Sequence, residues 1–65
     1  MKILSVDKNS FYGRTKTVTT FETTGSKETI NLMKEMLGLG ISSISIKRKD
    51  DGEDRIVTTT FISGQ

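Results

Sequence analysis

This 65-residue sequence has no His and no Cys, so its chemistry is limited to carboxylates, cations and hydroxyls. The commonest general base and the commonest metal ligand are missing, as are thiolate nucleophiles and disulfides. The carboxylates concentrate at Asp50, Asp51, Glu53 and Asp54, around Gly52. Clustered oxygen ligands can hold Ca²⁺ or Mg²⁺. Their spacing, however, does not match an EF-hand loop closed by a glutamate. The cluster reads as the charged tip of a hairpin, and no metal is expected.

The cations form a run, Lys47-Arg48-Lys49, with Arg55 across the same hairpin. Arg14 and Lys16 join it if the sheet brings two hairpins together. Phe11 and Tyr12 lie beside them in sequence, as stacking aromatics would. Basic groups and aromatics on a sheet suit single-stranded nucleic acid or a nucleotide. Against this, the acidic tip directly after the run lowers the positive field on which phosphate affinity depends. Cross-strand ion pairing and solvation account for the same side chains. The candidate contacts for an anion or a partner are Arg14, Lys16, Lys47, Arg48 and Arg55, with Phe11 and Tyr12 as packing or stacking groups.

Thr and Ser make up 17 residues, ten of them Thr. Hydroxyls on a sheet could bind a small polar ligand, and a Thr-rich edge could pair with a partner strand. Thr is also a plain strand former on a wet face. As a nucleophile, Ser or Thr needs a base within reach. The sequence has no G-x-S-x-G, no phosphate-binding loop and no dinucleotide fingerprint. The expectation is a protein that is not an enzyme and carries no cofactor.

These side chains must be positioned by few elements. Ile3 to Val6 reads as a first strand with Leu4 and Val6 on one face, and Asp7 to Gly13 as a polar link with turn residues Asn9, Ser10 and Gly13. Arg14 to Thr23 alternates. One face carries Thr15, Thr17, Thr19, Phe21 and Thr23, the other Arg14, Lys16, Val18, Thr20 and Glu22. Such a strand is solvated on one side or lies at an edge. Ser26 to Leu37 reads as the one helix, with Ser26 as N-cap and Glu28 placed for the helix dipole. Ile30, Leu32, Met33, Met36 and Leu37 share an arc of roughly 160°. Gly38 followed by Leu39 predicts a glycine stop with its hydrophobic contact. Ile41 to Lys49 is a third strand with Ile44 and Ile46 inward. Asp50 to Glu53 is a turn, and Asp54 to Ile62 a fourth strand.

The prediction is therefore a single α+β domain over residues 1–65: a four-stranded antiparallel sheet with one helix on one face, in the order ββαββ. Residues 1–25 and 41–65 show a weak hairpin–helix–hairpin repeat. In it Leu4-Ser5-Val6 answers Ile44-Ser45-Ile46, and a bulge absorbs a one-residue shift mid-strand.

Apolar residues are 32% of the chain and net charge is +2. The apolar residues fall in periodic blocks, which argues for folding rather than disorder. No run approaches the length of a membrane span. Met1 to Asp7 begins like a signal peptide but turns polar too soon, so no membrane partner and a cytoplasmic location are expected. A core this small supplies only roughly 3–5 kcal/mol and is usually stapled. With disulfide and metal staples absent, a homo-oligomer is expected.

The reading that fits best is a small binding protein, a stoichiometric inhibitor or sequestering protein of the kind phages and mobile elements encode. It would act as a homo-oligomer by covering a site on a protein target or enclosing a small anionic ligand such as a nucleotide. The alternative is a nucleic-acid binder using the basic, aromatic-flanked sheet face.

Overall fold

The computed structural model describes residues 1–50 and 52–64. Its elements run β1 (Lys2–Phe11), β2 (Arg14–Thr24), α1 (Gly25–Gly38), β3 (Ser43–Arg48) and β4 (Asp54–Gly64). All pairings are antiparallel, in the order β1-β2-β4-β3. The ββαββ architecture is the one the alternation predicts. Each hairpin contributes an inner and an outer strand, so β2 lies inside the sheet and β1 and β3 form its edges.

Cross-strand partners share a face, so the register sorts the side chains. Phe21 lies opposite Ile3 and Val57, and Val57 opposite Ile46. Thr19 lies opposite Val6 and Thr59, and Thr59 opposite Ile44. These rows face the helix. The open face carries Thr20 with Ser5, Thr58 and Ser45, and Lys16 with Asn9 and Ile62.

Phe21, Leu32 and Val57 are buried, with Met36 and Ile44 packed against them. Thr23, Thr29 and Thr59 are buried beside them. Leu32, Met33 and Met36 turn toward the sheet as the helical spacing predicts, while Ile30 and Leu37 are exposed. The covered stripe is centred on Thr29 because the Thr29 hydroxyl donates to the Gly25 carbonyl and bonds the Thr23 hydroxyl beneath it. That rotates the apolar arc partly off the sheet.

Several local expectations need correction. β1 does not stop at Val6 but runs to Phe11, and the link is only the turn at Tyr12 and Gly13, with φ 48° and 77°. Asn9 and Ser10 are strand residues. A bulge between Ile3 and Ser5 puts Ile3 and Val6, rather than Leu4 and Val6, on the helix face. β4 pairs on both sides without a register shift, so the bulge proposed for the second hairpin is not there.

Ser26 is not the N-cap. Gly25, at φ 74°, swings the chain off the sheet and Thr24 becomes the cap, without a side-chain cap bond. Instead the Glu28 carboxylate accepts the Thr24 N–H at 3.0 Å and meets the Met1 ammonium at 2.9 Å. At the other end the helix runs through Gly38, and Gly40 takes the left-handed conformation (φ 80°). Leu39 is thereby carried over the sheet.

Candidate functional site

The hairpin tip at Tyr12-Gly13 organises the first candidate surface. A two-residue turn with positive φ at both positions matches the strand twist, and glycine adopts it freely at Gly13. Tyr12 does not: a bulky aromatic at φ 48° is held in a disfavoured region. Its ring is 97% exposed and meets Phe11 edge-on, centroids 6.4 Å apart. Phe11 lies opposite Arg14, and Asn9 opposite Lys16, which in turn faces Ile62. Phe11, Tyr12, Arg14, Lys16 and Ile62 thus form an aromatic, cationic patch at one end of the open face.

The remaining predicted contacts lie elsewhere. Lys47 shares the open face but pairs with Ile56, six residues along β4 from Ile62, or about 20 Å. Arg48 and Arg55 face each other on the helix side. Arg55 is occupied by the carbonyls of Gly52 and Asp54, at 3.4 and 3.2 Å. The sheet therefore brings Phe11, Tyr12, Arg14 and Lys16 together and separates them from Lys47, Arg48 and Arg55. Of the acidic tip, Asp51 lies outside the described residues. Among the described residues no group of three or more carboxylates is placed to hold a metal ion, and no helix is long and apolar enough to cross a membrane.

Lys49, read from sequence as part of the basic run, donates to the Glu22 carboxylate across β4. That hydrogen bond, with the attraction between the charges, holds the Glu22 carboxyl below its ordinary range and the Lys49 ammonium above its own. A lowered carboxyl stabilises the fold above its unfolded pKa and loses that contribution as pH falls through the folded value. A raised ammonium stabilises below its unfolded pKa and loses it as pH rises through the folded value. Lys49→Gln is expected to flatten the acid limb of a melting-temperature profile taken below about pH 5. An unchanged acid limb would show that the pair contributes nothing in solution.

A second surface was not legible in the sequence. At the C-terminal end of α1, a groove of about 380 Å³ is lined by Thr19, Phe21, Met36, Leu39, Ile41, Thr59 and Phe61. It exists because a helix of 14 residues spans about 21 Å, while β2, with 11, spans about 36 Å. The sheet outruns its cover. Phe21 forms the buried floor and Phe61, at 36% exposure, the open side. The available signal was Phe61 alternating in phase with Val57 and Thr59, with too little helix to cover all three.

Comparison with protein families, curated proteins and solved structures finds no match to this chain. The two surfaces themselves are therefore what bears on function.

Proposed function

We propose that this chain is a non-enzymatic binding protein, a stoichiometric inhibitor or sequestering protein working in the cytoplasm as a homo-oligomer. It covers a site on a protein target with the tip of its β1–β2 hairpin. The observation that carries this reading is Tyr12, held at φ 48° and 97% exposed. Strained backbone persists where function selects for it, and Asn or Gly would relieve this turn. Tyr, Phe and Arg side by side are the residue types that dominate protein interfaces.

A protein target is favoured over an enclosed nucleotide because the grouped cations stand on a projecting tip. The apolar groove lies on the other face, and among the described residues no cation lines it. Nucleic acid is less well served, since Arg14 and Lys16 alone would neutralise few phosphates.

Tyr12→Asn is expected to raise stability by ~1 kcal/mol, or roughly 4–8 °C in melting temperature for a domain of this size. The same change should weaken target binding by about 30-fold or more. Captures from cell extract with the parent chain and with Tyr12→Asn, analysed side by side, identify the tip-dependent target. A partner held equally by both would overturn the assignment. A mobility shift of single-stranded or duplex DNA at low salt, lost on replacing Arg14 and Lys16 by Ala, would replace the protein reading with the nucleic-acid one. Nucleotide-sized mass retained in native mass spectrometry would favour the enclosed anion.

A further inference from the structure

We infer that a second copy of this chain seats on the helix-side groove, each copy placing Leu39 and Phe61 against the other's. The inference rests on the oligomeric part of the reading above and is independent of what the hairpin tip binds.

The first support is area. The chain exposes 4713 Å², while a monomer of its 7.2 kDa mass is expected to expose about 4,100 Å². The surplus of about 600 Å² per chain, covered on two copies, comes to about 1,200 Å², the lower bound of a specific, stable interface. The second is what is left uncovered. Among the described residues only Phe21, Leu32 and Val57 are buried large apolar side chains, whereas Leu37, Leu39 and Phe61 stand 62%, 65% and 36% exposed around the groove end of the fold. The third is chemistry. Among the described residues no charged side chain lines the groove, and its polar contributions are the hydroxyls of Thr19 and Thr59. An apolar occupant is required, and the chain offers one on the groove's own rim.

That adjacency suits a two-fold axis, where one patch is both socket and plug. A two-fold at the groove puts the protruding Leu39 of each copy over the other's Phe61, while Arg14 and Lys16 of the hairpin, near the same end of the sheet, stay on its open face. The edges of the sheet are less suited to self-pairing. β1 carries Lys2, Asp7 and Lys8 and a bulge, devices that blunt an edge, and β3 is short.

The test is sedimentation equilibrium of the parent chain, Leu39→Glu and Tyr12→Asn. The parent is expected to be a dimer with a dissociation constant on the order of micromolar. Leu39→Glu should raise it by about 100-fold or more, because a carboxylate would be buried without a partner. Tyr12→Asn should leave it unchanged. Leu39 is exposed in the single chain, so its replacement spares the core, and circular dichroism confirms that the variant is folded.

Leu39→Cys gives a second readout in a chain with no other Cys. Mild oxidation should yield a disulfide-linked dimer, while Ser45→Cys on the open face of the sheet should not. A folded parent that stays monomeric, with or without a small apolar molecule bound, overturns the inference. So does a dimer that Leu39→Glu leaves intact. Neither result bears on Tyr12-dependent target binding, so the two readings fail separately.

Discussion

Leu32→Ala is expected to leave the isolated chain largely unfolded at 25 °C. Leu32 is 2% exposed and is the only helix residue in a buried apolar cluster that otherwise consists of Phe21 and Val57. Truncating a buried leucine costs about 2–5 kcal/mol, and a core of this size supplies roughly 3–5 kcal/mol in all. The substitution removes the contact that fastens the helix, because Phe21 and Val57 are cross-strand partners on the sheet and Leu32 is what covers them. Leu32→Met, which conserves volume, should cost less than about 1.5 kcal/mol. Thermal melts followed by far-ultraviolet circular dichroism check both. A cooperative Leu32→Ala transition within a few degrees of the parent would mean that stability resides elsewhere. Self-association adds a concentration dependence: the parent should melt higher as protein concentration rises, and Leu32→Ala should recover part of its structure on the same axis.

The sheet was legible because its alternation is strict. Thr15 to Thr23 and Arg55 to Ile62 each separate into the two faces that the register confirms, and Ile44 and Ile46 lie on the helix face by the same rule, although only Ile44 packs against the core and Ile46 stays exposed. The helix was legible in type and extent. Its ends were not, because two glycines flank Leu39 and the sequence does not say which one turns left-handed. The tip was missed for a related reason. Asn9, Ser10 and Gly13 all have the composition of a turn and Tyr12 does not, so the pattern spreads the turn over Asp7 to Gly13 and gives no sign of the strained aromatic at its true centre. Arg14 and Lys16 were grouped with Phe11 and Tyr12 by sequence proximity, which a hairpin preserves. Lys47, Arg48 and Arg55 belong to the second hairpin, and Arg14 and Lys16 join them only if the sheet brings the two hairpins together. Register decides that question: Lys16 pairs with Ile62 whereas Lys47 pairs with Ile56, so the long axis of the sheet keeps them apart. The groove depends on helix length against strand length, a mismatch that no motif announces.

Thr29→Val should destabilise the fold more than Thr23→Val, and combining them should be less harmful than Thr29→Val alone. The two hydroxyls are 2.6 Å apart, and Thr29 also bonds the Gly25 carbonyl at 2.8 Å. A hydroxyl has one proton, and Thr29 gives its proton to Gly25, so in the Thr23–Thr29 bond Thr23 is the donor. Replacing Thr29 by Val strands the Thr23 hydroxyl, which is 0% exposed, at a cost of about 1–3 kcal/mol in addition to the lost bond to Gly25. Replacing Thr23 by Val leaves Thr29 donating to Gly25 and forfeits one neutral hydrogen bond, about 1 kcal/mol. In the double variant no donor is stranded, so its stability should exceed that of Thr29→Val, a negative coupling that a double-mutant cycle by urea denaturation reads directly. If the double variant is instead the least stable of the three, the proton runs the other way or the pair is reached by water. The helix would then be tied to β2 by Leu32 packing and the Gly25 turn without help from this hydroxyl chain.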